Sequence, residues 1–350
     1  MNIIFRILVF FMVGSNLFGQ NSIPDSLRND SIFLKINSFV LEVHEVIQFS
    51  NLLEKKNYDT CLILLQNPKL LKNLGREEMA EVSKMYSNLG DCKSANVFLD
   101  LYLNNQYTFF KGDVPDIDSF KRMDFYKDFG SCFSLDSIYN ILIVNTKRGN
   151  DSIRKKLNLR DEINQLKFQD QFFRSNRNVN IPIFKDYFNR TCDTFQTNIL
   201  STSDSLWFIQ TIFDSINRVS LDKFYKRNHN KWFSDYYLGY KAAYTAFLVV
   251  QHSDKDIAFQ AKYFQKMLDY YKESNSTYLL SNCLMYLIDR ILVNKYNFQF
   301  FGTQFMNSSS GITLFSLYYG VQFADAFRTY CNFPSVEKYI RDVDANFKIK

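Results

Sequence analysis

The apolar positions of this chain recur every three or four residues over most of its length, which is the period of helices rather than strands. From about Ser38 to Asn105 the pattern is helical and weakly repetitive. Lys56-Asn57-Tyr58, followed by Cys61 and Leu65, aligns with Gly90-Asp91-Cys92, followed by Ala95 and Leu99. The displacement from Cys61 to Ala95 is 34 residues. That is the period of a tetratricopeptide helix pair, where a small residue sits at the close contact between antiparallel helices. A plain helical bundle is the alternative.

Gly112 to Asp118 is turn-forming by composition, and the polar break Lys147 to Asp151 is the better domain boundary. After it, Ser152 to Arg174 reads as a long amphipathic helix. Leu206 to Phe224 gives another, and Tyr236 to Tyr271 gives one long helix or two with a break near His252. Asn275 to Val293 gives one more. Phe298 to Thr313 is non-periodic and rich in glycine, serine and glutamine, so a loop lying over the domain is expected. Ser316 to Phe327 and Val336 to Asn346 look like short closing helices, with little β structure anywhere. The expected fold is mostly α. Tetratricopeptide-like helical hairpins at 38–147 precede a compact helical domain at 152–350.

The first twenty residues change the picture of where the chain works. Arg6, the apolar run Ile7 to Val13 and the short polar stretch Ser15 to Gln20 read as an export signal over 1–20, followed by a flexible lead-in at 21–37. The apolar stretch Tyr237 to Val250 contains Lys241 and stops at Gln251, so no membrane span is expected after signal cleavage. A periplasmic or secreted protein follows. The formal charge of +6 includes Arg6 and is spread along the chain without a Lys/Arg stripe, which argues against nucleic acid as a partner. Six cysteines without a CxxC pair support neither a zinc cluster nor a thioredoxin-like centre. An oxidising compartment permits disulfides, but their pairing is not readable.

Chemistry is concentrated in three polar clusters set in apolar, helix-forming sequence. They are Gln251-His252 with Asp254, Asp256 and Gln260, then Asp289-Arg290, then Gln299 with Gly302-Thr303-Gln304. Buried polar groups must be paired, so these residues form either a structural network or the lining of a pocket. On one helix, His252 and Asp256 would share a face, and a carboxylate beside an imidazole orients it as a general base. The same pairing satisfies an ordinary buried histidine. Asp170, Gln171 and Arg174 end the helix after Leu159; they could pair within it or hold an anion. Arg290 and Arg328 are suited to grip a carboxylate or phosphate bidentately. Trp232 could wall a pocket, although anchoring a core is the commoner use. Gln299, Thr303 and Gln304 either bond a ligand or cap backbone. His229 falls in a solvated basic loop, and His44 reads as a surface or packing residue. There is no HExxH, no GxSxG elbow, no phosphate-cradling glycine loop and no dinucleotide fingerprint, so neither a metal nor a cofactor is expected.

From roughly Leu159 to Tyr339 the sequence resembles the DUF6624 family of bacterial proteins, many of which carry export signals. The resemblance rests on Asp170-Gln171-Phe172-Phe173-Arg174, Trp232, Gly239, Val249-Val250-Gln251-His252-Ser253-Asp254, Asp289-Arg290, Gln299-Phe300-Phe301-Gly302-Thr303-Gln304, Asp325 and Arg328. Two positions depart from the pattern. Lys231 stands where the family has glycine, and Phe301 where it has tyrosine. The resemblance implies a shared fold and brings no activity with it.

Two functions are expected from these features. The first is a binding or scaffold role, with a protein partner on the N-terminal helical repeats or a small polar or anionic ligand in the C-terminal domain. The alternative is a hydrolase with His252 as base, Asp256 as its orienter, and arginines with Gln304 stabilising negative charge.

Overall fold

The computed structural model describes residues 23–103, 132–134, 136, 138–144, 147, 156–175, 203–233, 238–274, 278–308 and 311–348. The export signal and the turn at 112–118 lie outside these residues. The fold is mostly helical, as the periodicity predicts. Among the described residues no helix is long and apolar enough to cross a membrane.

The chain gathers into two compact units: 1–102 with 128–133 and 271–350 in the first, 103–127 with 134–270 in the second. The first unit begins with α1 (Ser31–Glu54), α2 (Tyr58–Leu64), α3 (Pro68–Asn73), α4 (Arg76–Asn88) and α5 (Cys92–Leu103). Asp30 starts α1 by accepting hydrogen bonds from the N–H groups of Ile32 and Phe33 at 3.0 Å each, satisfying two donors that the first helical turn leaves open. Asn67 and Pro68 start α3 in the same way, the proline lacking a donor where none is needed.

The 34-residue displacement is reproduced bond for bond at two helix ends. After α1, the N–H of Lys56 donates to the Leu53 carbonyl and that of Asn57 to the Leu52 carbonyl; after α4, Gly90 donates to Ser87 and Asp91 to Tyr86. Lys56 and Gly90 both take a left-handed conformation, φ 54° and 78°, the usual way to end a helix and reverse the chain. In each following turn a hydroxyl bonds the capping side chain, Thr60 to Asn57 at 2.9 Å and Ser94 to Asp91 at 2.6 Å. Cys61 and Ala95 are both fully buried. A disulfide joins Cys92 to Cys132, which settles a pairing the sequence left open, while Cys61, Cys283 and Cys331 are buried.

The second unit is built from α6 (Leu157–Ser175), α7 (Ser203–Arg227), α8 (Tyr240–Gln251) and α9 (Ile257–Ser274, to Tyr270 in this unit). Helix α6 packs on α7 and α8, presenting Leu159, Ile163, Leu166 and Asp170 along one buried stripe. Helix α8 is buried nearly all round from Ala242 to Gln251, as its unbroken apolar run requires. The region read as one helix or two is therefore two, separated at 252–256.

The first unit is completed by α10 (Tyr278–Tyr296), four short strands, α11 (Val321–Tyr330) and α12 (Val336–Lys348). The stretch expected to be a plain loop holds β1 (Phe298–Gln299) parallel to β4 (Ser316–Leu317), and a hairpin of β2 (Phe305–Ser308) and β3 (Gly311–Leu314). Helix α11 starts later than expected, because Gly320 at φ 83° turns the chain into it. The core here is aromatic: Phe33 of α1 meets Tyr296, Phe298, Phe300 and Tyr318 edge-on at 5.8 to 6.2 Å. Such packing is what 36 phenylalanines and 22 tyrosines make possible.

Candidate functional site

The candidate residues fall into two clusters, one in each unit. In the second unit His252 lies just beyond the last turn of α8, where its own N–H donates to the Leu248 carbonyl. Its Nδ1 faces both carboxylate oxygens of Asp170, at 2.9 and 2.8 Å. Asp170 is 1% exposed and the imidazole 13%. Gln171 donates from Nε2 to the same carboxylate at 2.6 Å. A carboxylate on Nδ1 fixes that nitrogen as the proton carrier and leaves Nε2 with its lone pair. No described residue bonds Nε2. The pair therefore holds an oriented imidazole, with Nδ1 committed to Asp170 and Nε2 without a described partner.

This geometry corrects the expected partner. The i, i+4 argument paired His252 with Asp256, but α8 stops at Gln251, so the two residues do not share a helix. Asp256 instead starts α9, accepting the Phe259 N–H at 2.9 Å, and its other oxygen lies 3.7 Å from Nε of Arg218. Asp170 was recognised as a candidate, yet its place on the buried stripe of α6 gave the stronger signal: a carboxylate at an apolar register needs a partner. Arg174 sits in the last turn of α6, with its side chain outside the described residues.

Gln251 is buried, and its carbonyl accepts Nε2 of Gln260 at 2.9 Å. Trp232 is a core anchor, 4% exposed and packed on Phe233 and Tyr263 at 5.4 and 5.9 Å. His229 is exposed with φ 56°, as a solvated loop implies. Gln210 and Asn217, both buried on α7, were missed. Neither belongs to a motif, and only the packing of α7 brings them inside.

The first unit holds the other cluster. Asp289, fully buried on α10, accepts the N–H groups of Phe300, Phe301 and Thr303 at 2.8, 3.0 and 2.9 Å and the Thr303 hydroxyl at 2.9 Å. Burial pushes its pKa up to about 6 against the pull of those donors. Arg328, 1% exposed on α11, donates from Nη1 to the carbonyls of Phe301 and Gly302 at 3.0 and 3.1 Å and from Nε to Pro334 at 2.6 Å. Burial holds its pKa below the usual guanidinium value. Gln299 closes the turn, donating to the Gln304 carbonyl at 2.9 Å and accepting the Gln304 N–H at 2.8 Å. Gln304 in turn donates to the Thr303 hydroxyl at 3.0 Å.

The turn is glycine-dependent. Gly302 has φ 71°, and a Cβ there would come within 3.2 Å of the Val336 side chain. Phe301, where the resembling family has tyrosine, packs on Phe327 at 4.9 Å inside the core. Arg290 follows Asp289 on α10 and is partly exposed. His44 stacks on Phe323 at 5.3 Å, a packing residue. These contacts tie Asp289, Gln299, Thr303, Gln304 and Arg328 to the turn at 299–304, with Nη2 of Arg328 buried and without a hydrogen-bond partner.

Among the described residues no group of three or more histidine, cysteine, aspartate or glutamate side chains is placed to hold a metal ion. No curated protein and no solved structure matches the chain. Residues 211–350 match the model of DUF6624, described as a family of unknown function. The match includes His252 and the whole Asp289–Arg328 cluster but starts beyond Asp170, and so covers less of the N-terminal side than the resemblance from Leu159 implies. Over residues 211–350, the chain is similar to the DUF6624 family.

Proposed function

We propose that the protein is an exported hydrolase whose general base is His252, oriented by Asp170. The observation that carries this reading is the asymmetry of the imidazole. Its Nδ1 is held by a buried carboxylate at 2.8 Å while Nε2 has no described partner on a ring that retains some exposure. That arrangement prepares a nitrogen to take a proton from water or a hydroxyl. Export is supported by the signal-like first twenty residues and by the Cys92–Cys132 disulfide, a bond that persists in oxidising compartments.

The test is a panel of chromogenic esters, amides and glycosides, compared between wild type, His252→Asn and Asp170→Asn. Hydrolysis lost in His252→Asn and strongly reduced in Asp170→Asn, with folding retained, supports the assignment. Equal rates in wild type and His252→Asn on every hydrolysed substrate would remove it.

A second reading rests on the N-terminal helices. Their turns repeat at 34 residues, and Leu89, Val97 and Leu101 are 49%, 53% and 44% exposed. A tetratricopeptide-like array with apolar residues at its surface is suited to a protein partner. Binding through this array is compatible with hydrolysis in the other unit.

A further inference from the structure

Asp170 and Gln171 are neighbours on α6, and side chains one residue apart leave a helix about 100° away from each other. Asp170 points into the buried stripe, while Gln171 is partly exposed. The two nevertheless meet, with Nε2 of Gln171 at 2.6 Å from Oδ2 of Asp170, so the longer side chain folds back onto the shorter one. An ionised carboxylate only accepts, which makes the amide atom facing it the nitrogen on chemical grounds. Oδ2 is also the oxygen nearer to Nδ1 of His252, at 2.8 Å against 2.9 Å for Oδ1. One oxygen thus meets two donors, the ring and the amide.

The consequence falls on the imidazole. Which ring nitrogen carries the proton is set by the bond that the other one makes. A carboxylate on Nδ1 draws the proton there, because a lone pair on Nδ1 would face two negative oxygens. That preference lasts only while the carboxylate keeps its charge and its orientation beside the ring. At 1% exposure, Asp170 needs donors from the protein to remain ionised. Gln171 supplies one and leaves both oxygens facing Nδ1.

We infer that Gln171 is a positioning residue, which holds Asp170 in the orientation that keeps the proton on Nδ1 of His252 and the lone pair on Nε2. The inference rests on the hydrolase reading for its effect on turnover, but not for its effect on the ring. Gln171 acts through Asp170 and takes no proton itself. Its Nε2 is committed to protein, which sets this role apart from the anion contact expected of it.

The experiment reads the ring and the rate separately. Side-chain 15N signals of His252, assigned by their loss in His252→Asn, report the tautomer of the neutral imidazole in the purified protein. Wild type should carry the proton on Nδ1. Gln171→Met keeps the length of the side chain and removes the donor, so it should give a mixture of both tautomers with the urea midpoint little changed. On any substrate that wild type hydrolyses, it should lower kcat by about tenfold with KM nearly constant. In an Asp170→Asn background the same change should move neither readout, because the residue through which Gln171 acts is gone. A further shift of either readout in that background overturns the inference. A wild-type ring protonated mainly on Nε2 overturns it without any variant, and so does a tautomer that Gln171→Met leaves as it was. His252-dependent hydrolysis that Gln171→Met does not slow removes the positioning role and keeps the base. A tautomer that responds to Gln171→Met, without His252-dependent hydrolysis of any substrate, keeps the role on the ring and removes the hydrolase reading.

Discussion

Asp289 and Arg328 hold opposite ends of one peptide unit, the carboxylate on the Thr303 N–H and the guanidinium on the Gly302 carbonyl. The carboxylate takes the N–H groups of Phe300, Phe301 and Thr303, and the guanidinium takes the carbonyls of Phe301 and Gly302. The turn at 299–304 is thus pinned between α10 and α11, with three backbone N–H groups and the Thr303 hydroxyl on the carboxylate. Asp289→Ala is expected to cost on the order of 3 to 5 kcal/mol, because it leaves three buried N–H groups and a buried hydroxyl without their acceptor. Arg328→Met should cost less when added to Asp289→Ala than when made alone. Urea unfolding of the single and double variants measures both effects, and full additivity would contradict a shared clamp.

The same unit should respond to acid in two stages. Burial raises Asp289 to about 6. Burial also raises Glu78, against hydrogen bonds from Tyr330 and Ser50. Both groups hold a proton more tightly when folded, so stability rises as pH falls through about 6 toward the ordinary carboxylate range near 4. Asp30 acts in the opposite sense. Burial alone would raise it, but Lys295 and the Phe33 N–H outweigh that and bring it down to about 2. Its contribution is present above its ordinary value and is lost as pH falls toward about 2. Urea midpoints across pH should therefore peak in mild acid, and Glu78→Gln should raise stability at neutral pH and flatten the rise. Midpoints that fall steadily from neutral pH downward would contradict this.

Lys56 and Gly90 occupy equivalent helix-ending positions, yet only one is glycine. Left-handed backbone strains a residue with a Cβ. Lys56→Gly is expected to stabilise the protein by up to about 1 kcal/mol, and Gly90→Ala to destabilise it by about 1 kcal/mol or more. Thermal melts of the two variants check the pair, and opposite signs are the expected result.

For His252 the prediction is kinetic. His252→Asn should lower kcat by about a hundredfold or more on any hydrolysed substrate, since a positioned general base contributes that much. Asp170→Asn keeps the side-chain size and removes the charge that orients the ring. It should lower kcat by about tenfold or more with KM little changed, because the ring is no longer held in its productive orientation. A purely structural Asp170 would change stability and leave kcat of the folded protein unaltered.

The Cys92–Cys132 bond closes a separation of 40 residues. Chain-entropy reasoning puts its contribution at about 4 kcal/mol. Cys92→Ser with Cys132→Ser should therefore lower the urea midpoint, and dithiothreitol should do the same to wild type only. A reduced wild type as stable as the oxidised one would contradict a closed loop.

Periodicity alone determined the helical class, the positions of α6, α7, α10 and α12, and the 34-residue displacement between Cys61 and Ala95, since these are local properties of residue order. Polar residues set in apolar sequence drew attention to Asp170, His252, Asp289, Gln299, Thr303, Gln304 and Arg328, whose side chains are buried or nearly so in two separate clusters. What each one bonds was decided by packing. His252 was paired with Asp256 on the assumption of a continuous helix, and the end of α8 at Gln251 turned the ring instead toward a carboxylate 82 residues earlier. The strands at 298–317 escaped notice because runs of two to four residues are too short to establish alternation. Arg328 carries the residue type of an anion-binding site, but its Nε and Nη1 are held by carbonyls that only the folded chain presents. Burial, which no single stretch of sequence fixes, engaged Asp289 and Arg328 with backbone and left Nε2 of His252 without a described partner.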